Sequence, residues 1–156
     1  MRFDQPLLAG RLIRRYQRFL ADVELADGEP ITVHCPNSGS MLGCREPGSP
    51  VLLARAANPR RKYPYTWELV QIHGVWVGIN TARTNALVRE ALAAGVIKEL
   101  PPPAAIRAEV RVSPRSRLDF LLAYGPGRQT YLEVKNCTLV ADGVALFPDA
   151  VTSRGT

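Results

Sequence analysis

Several things are scarce in this sequence. Cysteine occurs three times in 156 residues, at positions 35, 44 and 137. An odd, scattered set excludes the disulfide framework of a small secreted domain. Acidic residues are in deficit, with 14 Asp and Glu against 20 Lys and Arg, a formal net charge of +6. That balance favours an anionic partner, of which nucleic acid is the commonest. No apolar run approaches the roughly 18 residues that cross a bilayer. The opening Met1-Arg2-Phe3-Asp4-Gln5-Pro6 has no apolar stretch leading to a small-residue cleavage site. The expectation is a cytoplasmic protein with no membrane partner. Repeats and low-complexity tracts are missing too. With 46% hydrophobic and 22% charged residues, the remainder has a globular composition, enough for one domain of average size or two small ones.

Helical patterning is confined to one clear segment, Ala86 to Val96, with Leu87, Ala91 and Leu92 on one face. Gly95 stands where a C-terminal cap belongs, and Thr84 or Asn85 can cap the start. Directly after it, Pro101-Pro102-Pro103 forbids continuation. The first 80 residues read mainly as short strands: Val23–Leu25 and Ile31–Val33 around an Asp27-Gly28 turn, then Val51–Ala54, Trp67–Ile72 and Val75–Ile79. Arg11 to Leu20 fits either a strand or a helix bearing Leu8, Leu12, Tyr16 and Phe19. Five short strands with a long curved first one suit a small Greek-key barrel such as the OB-fold. Beyond the prolines, Ala108–Val112, Arg117–Tyr124 and Gln129–Val134 are predicted strands, the last two joined at Gly125-Pro126-Gly127. No further element is predicted before the chain ends.

Two places carry chemistry. If the Gly-Pro-Gly turn pairs Tyr124 with Arg128, Asp119 stands opposite Glu133 and Arg117 opposite Lys135. Leu118, Phe120, Leu122, Leu132 and Val134 then share the other face, a separation that a one-residue slip would destroy. Opposed carboxylates repel, and a hard cation such as Mg²⁺ relieves the repulsion. Such an ion lowers the pKa of a bound water, and Lys135 beside it can position hydroxide or neutralise a phosphate. This is the logic of a metal-dependent nuclease. Equally, Asp119 can be one half of a surface ion pair with Arg117, Arg128 or Lys135. The second place is a pair of basic stretches interleaved with rings: Arg14, Arg15 and Arg18 around Tyr16 and Phe19, and Arg60-Arg61-Lys62-Tyr63 followed by Trp67. Cations that hold phosphates and rings that stack on bases make a nucleic-acid surface; a solvated charged face with buried rings is the alternative. His34, Cys35 and Cys44 offer three zinc ligands but no fourth, which leaves reduced, inert thiols as the simpler reading. His34 and Ser38 lack an orienting third residue, so 34–41 reads as a turn held by Asn37 and Ser38.

Leu12-Ile13-x-Arg15-Tyr16-x-Arg18-Phe19-Leu20-Ala21-Asp22-Val23 and His34-Cys35-Pro36-Asn37-Ser38-Gly39-x-Met41 resemble the sugar fermentation stimulation protein A family. Arg61-Lys62-Tyr63-Pro64-x-Thr66-Trp67-Glu68, Ser116-Arg117-x-Asp119-Phe120, Glu133-Val134-Lys135 and Phe147-Pro148-Asp149-Ala150-Val151-Thr152-x-Arg154-Gly155 carry the same resemblance. It implies an α+β chain: an OB-like nucleic-acid-binding β-barrel over residues 1–80, followed by an incomplete PD-(D/E)xK nuclease-like α/β domain over 81–156. It also implies DNA binding, to duplex in particular, linked to regulation of sugar (maltose) metabolism. Carried over by position, Asp119 is the motif's aspartate, Glu133 and Lys135 its ExK, and Glu90 the helix carboxylate, with Mg²⁺ as the cofactor. Leu118 replaces the proline of the motif's name. A Mg²⁺-dependent DNA endonuclease and an RNA-binding OB module with a scaffold second domain are the competing functions. Members of the family continue past the Arg154-Gly155 motif, so the chain reads as truncated, with part of the second domain's apolar face uncovered.

Overall fold

The computed structural model describes residues 2–147, which form two compact units: 82–135, and 2–81 together with 136–147. Pro148 to Gly155 of the last family motif lie outside the described residues.

The larger unit is built on six strands: β1 (Leu8–Tyr16), β2 (Leu20–Glu24), β3 (Pro30–His34), β4 (Pro50–Arg55), β5 (Tyr65–Ile72) and β6 (Val75–Gly78). Their order is β3-β2-β1-β4-β5-β6, and a parallel pair between His34 and Thr66 joins β3 back to β5. Five strands thereby close into an OB-like barrel, with β6 extending β5 as a hairpin. The ambiguous 11–20 segment is a strand through Tyr16 followed by a turn, because it has hydrogen-bonding partners on both sides. Leu8 to Arg11 pair with β4, and Arg11 to Tyr16 with β2. One strand can serve both neighbours only if it bends. The bend uses a bulge between Leu12 and Arg14, and a close approach at Gly10, where a Cβ would overlap Val23 Cγ1 and lie 2.9 Å from the Glu24 carbonyl. Alternation sends Leu12, Val23, Val33, Val51 and Leu53 inward, and a bulge in β5 between Trp67 and Leu69 lets both Trp67 and Val70 join them, packed with Ile79, Cys35, Met41 and Cys44.

The second unit has one helix, α1 (Thr84–Ala93), and an antiparallel meander of β7 (Ala105–Arg111), β8 (Arg117–Gly125) and β9 (Arg128–Leu132). Its core joins Leu92, Phe120 and Leu122 to Val88, Ile106, Leu132 and Val134. Two helix expectations change. Leu87 is exposed and Val88 takes its place beside Leu92, an i,i+4 pair. Neither Thr84 nor Asn85 is the N-cap: that position belongs to Arg83, with no side-chain capping bond to the helix, and Asn85 is turned to another task. Gly95, at φ +64°, does end the helix, with its N–H on Leu92 O and that of Val96 on Ala91 O.

One element was not foreseen. β10 (Leu139–Ala141) and β11 (Val144–Leu146) form a hairpin that groups with the barrel unit, where the Cys44 thiol lies 3.5 Å from the Thr138 carbonyl. Burial pushes the Cys44 thiol pKa up, against the smaller opposite effect of that hydrogen bond, so it stays protonated and inert. Among the described residues, no helix is long and apolar enough to cross a membrane.

The bend at Gly10 gives a direct test. Gly10→Ala should destabilise the barrel by about 1–3 kcal/mol through overpacking, read as a lower urea midpoint at unchanged slope. Gly78→Ala, where a Cβ meets nothing within 4 Å, is the control and should leave the midpoint in place.

Candidate functional sites

The outer face of β1–β2–β3 and the two loops beside it gather most of the basic residues singled out in the sequence. Asp22 is the hub of that face. Its carboxylate accepts from Arg14 Nε (2.8 Å), Thr32 Oγ1 (2.8 Å) and the Tyr16 hydroxyl (3.0 Å), and the Arg14 guanidinium lies 4.8 Å over the Tyr16 ring. Burial alone would raise the Asp22 pKa, but the bonds from Arg14, Thr32 and Tyr16 outweigh it and hold the carboxyl below its ordinary range. Arg14 therefore has its charge largely matched. Arg15 works differently: its Nη2 lies 2.8–2.9 Å from the carbonyl oxygens of Arg18, Asn37 and Gly39. It clamps the 35–41 loop to the β1–β2 turn, and buried Asn37 completes the clamp by donating to Ile79 O and accepting from the Gly39 N–H. The turn itself is strained, with Gln17 and Arg18 both at positive φ (48° and 61°), and it exposes Arg18 and Phe19.

Loop 56–64 joins β4 to β5 and is braced from within. Ala56 N–H donates to Pro64 O, Asn58 Oδ1 accepts from the Arg60 N–H, and Arg61 Nη1 reaches Thr66 Oγ1 at 3.2 Å. The loop presents Arg60, Arg61 and Lys62 to solvent, with Lys62 Nζ 5.4 Å from the half-buried Tyr63 ring. Trp67 is a correction. It is fully buried in the barrel and its Nε1 donates to Leu69 O at 2.9 Å, because β5 alternation turns it inward, so it offers no ring to a base. The zinc arrangement is not formed either: Cys35 lies in the core with its Sγ 3.6 Å from Met41 Sδ.

In the second unit, β8 and β9 take the register the sequence predicts over Phe120↔Leu132 to Ala123↔Gln129. Nearer the turn they differ, since Gly125 rather than Tyr124 pairs with Arg128. The ladder stops at Leu132, so Glu133 and Lys135 lie past its end and Arg117 pairs with Arg111 of β7 instead. Half-buried Asp119 uses both oxygens. Oδ1 accepts from Asn85 Nδ2 and Oδ2 from the Val134 N–H, each at 2.7 Å. Exposed Glu133 accepts from Lys135 Nζ at 2.8 Å. Glu90 is exposed on α1. Across from Asp119 on β7, the register position belongs to Glu109, at φ +54° where the ladder is interrupted, with Oε2 3.3 Å from Arg117 Nη1. Its place opposite Asp119 depends on the β7 register, which the sequence left unassigned. Among the described residues, no group of three or more His, Cys, Asp or Glu forms a ready metal cage. The donor chemistry still suits a hard cation: a carboxylate oxygen that accepts one hydrogen bond keeps a lone pair, and Mg²⁺ commonly takes one or two carboxylates and completes its shell with water.

Two family models match the chain, "SfsA N-terminal OB domain" over residues 13–79 and "Sugar fermentation stimulation protein RE domain" over 82–156. A sugar fermentation stimulation protein homolog of Pelobacter propionicus is 62% identical over 150 residues, covering 96% of this chain and 65% of that protein. The homolog of Geobacter metallireducens is 59% identical over 156 residues, covering 99% and 67%. The chain thus spans about two thirds of the length of these curated relatives. Among solved structures, that of Pyrococcus furiosus SfsA in complex with Ca²⁺ superposes with a TM-score of 0.80 at 24% identity, covering 99% of this chain and 64% of that one. At that identity the likeness shows the fold alone: an OB-like barrel followed by a unit of one helix and an antiparallel sheet.

Asp22 sets an acid-side prediction. Because its folded pKa lies below the unfolded one, its bonds contribute fully above the ordinary carboxylate range and fade as pH falls through the folded value. Asp22→Asn should be less stable than wild type by about 1–2 kcal/mol at neutral pH. The gap in urea midpoint should close on acidification below the ordinary carboxylate range.

Proposed function

The chain belongs to the sugar fermentation stimulation protein family, and on that premise we propose that it binds DNA through its barrel and serves the regulation of sugar (maltose) metabolism. The observation that supports this most is the braced loop 56–64, which holds three consecutive cations in solvent beside the β1–β2 turn. In OB-folds the loops after the first and fourth strands flank the oligonucleotide-binding face. Here those loops are 17–19 and 56–64, the two basic-aromatic stretches. Of the six cations, Arg18, Arg60, Arg61 and Lys62 are the ones assigned to phosphates, Arg14 being matched by Asp22 and Arg15 committed to its clamp. The residues assigned to binding lie within 1–80, and the nuclease-like chemistry within 81–156.

Electrostatic binding of this kind releases about 0.9 counterion per phosphate contact on duplex DNA. Replacing Arg60, Arg61 and Lys62 by Ala should therefore lower the slope of log K against log salt by about 2–3. An unchanged slope and affinity would remove the loop from the interface.

A second activity is proposed for the same protein, a Mg²⁺-dependent DNA endonuclease, and it rests on the way Asp119 is held. Asn85 and the Val134 N–H fix its carboxylate from opposite elements, next to the Glu133–Lys135 pair. Asp119 and Glu133 would hold a divalent ion, with Glu90 of α1 as a further acidic contributor, and the ion would supply an activated water and charge neutralisation at a phosphodiester. Lys135 would hold the scissile phosphate. The similar Pyrococcus furiosus protein was solved in complex with Ca²⁺, which favours a divalent cation here. Calorimetric titration with Mg²⁺ or Ca²⁺ should give saturable binding that Glu133→Gln weakens by about tenfold. Plasmid nicking that requires the metal should disappear in Asp119→Ala and in Lys135→Ala. Nicking that survives both substitutions would contradict the assignment.

A further inference from the structure

His34 lies at the seam that closes the barrel, paired across β3 and β5 with Thr66 and across β2 with Leu20. Val33 and Trp67 are buried in the core, so alternation puts His34 and Thr66 on the outer surface of the closed barrel. Thr66 Oγ1 is the atom that Arg61 Nη1 reaches, at 3.2 Å, so the guanidinium is held on the cross-strand partner of His34. The His34 Nδ1 is enclosed and has no hydrogen-bond partner, so Nε2 is the nitrogen a ligand can reach. A hydroxyl, a guanidinium and the imidazole Nε2 are thus offered at one half-exposed spot. We propose that His34, Thr66 and Arg61 form a phosphate-binding subsite at the barrel seam, and that filling it draws a proton onto His34. The proposal rests on the DNA-binding reading and assigns one backbone phosphate to a definite place.

The physical reason lies in the charges around the ring. On β2 the nearest titratable group is Asp22, already engaged with Arg14, Tyr16 and Thr32. On β5 they are Tyr65 and Glu68, the latter buried and accepting from Asn80 Nδ2 at 2.9 Å. The β1–β2 turn brings Arg18, and loop 56–64 brings Arg61. In the free protein the His34 pKa is lowered, first by burial and then by the Arg61 charge. A phosphate placed between the two reverses that balance. It neutralises Arg61, accepts from the imidazolium, and makes the charged form the favoured one. Binding and protonation are then linked, and affinity rises as pH falls through the histidine range.

The chain has two histidines, His34 and the exposed His73, which serves as an internal control. The experiment follows both imidazole C–H resonances by proton NMR over a pH titration of the full chain. Three samples are compared: protein alone, with inorganic phosphate, and with a short oligonucleotide duplex, whose paired bases and phosphodiesters do not titrate in this range. Alone, His34 should titrate below the ordinary histidine range. Saturating oligonucleotide should move the His34 midpoint up by about one pH unit, equivalent to about tenfold in affinity between the limiting pH values, and leave His73 where it was. Arg61→Gln should shrink the shift, and His34→Gln should bind the duplex with no pH dependence. An oligonucleotide that binds with strong salt dependence and leaves His34 unmoved overturns the subsite but keeps the DNA reading. A His34 shift with inorganic phosphate and no oligonucleotide binding keeps the subsite and overturns the DNA reading. No shift and no binding in either sample overturns both.

Discussion

The barrel unit depends on the ability of β1 to pair with two neighbours at once. Leu8 to Arg11 hold β4 while Arg11 to Tyr16 hold β2, and this is what lets β3 come round to meet β5 at His34 and Thr66. Closure requires a bend, and the bend requires a residue without a side chain where Gly10 meets Val23 and Glu24. The functional placement follows. Turn 17–19 and loop 56–64 stand beside the same seam because the strands they lead into, β2 and β5, begin on either side of His34, at Leu20 and near Thr66. A charged residue ties each to the frame: Arg15 to three carbonyl oxygens, and Arg61 to Thr66.

The same chain uses its charges in two ways. On the barrel, acid is spent matching basic residues the fold needs near one another, as Asp22 does for Arg14, and the loop cations are left to face solvent. In the second unit, Asp119 is bound by neutral donors, Asn85 and a backbone N–H, rather than by a cation. Neutral donors hold a carboxylate in position without cancelling its charge, which suits a group meant to attract a metal ion. Glu133 and Lys135, exposed beyond the end of β9, form an ion pair in a solvent-screened contact worth little by itself.

Much of this was legible in the residues. The Asp27-Gly28 hairpin, the short strands and the β8–β9 register followed from alternation and turn chemistry, because one face of each strand must be buried. Periodicity was silent where tertiary partners decide. The 11–20 segment satisfied a helical stripe as well as a strand, and only the two strands that neighbour β1 distinguish them. Trp67 looked like a stacking ring because it follows a basic stretch, yet strand parity turns it inward. Asn85 looked like a cap and instead braces Asp119, a long-range contact that no local pattern records. The 139–146 hairpin did have a signal, Asp142-Gly143 between short apolar runs, but it is brief and lies close to the end of the sequence.

The most direct test of the account is amide hydrogen exchange on the full chain with and without a DNA duplex at low salt. Protection is expected in two peptides, one spanning Gln17–Phe19 and one spanning residues 56–64, with the β5–β6 hairpin tip at His73-Gly74 unchanged. DNA that protects the hairpin tip or the second unit while leaving both loops unaltered would contradict the placement of binding on the barrel.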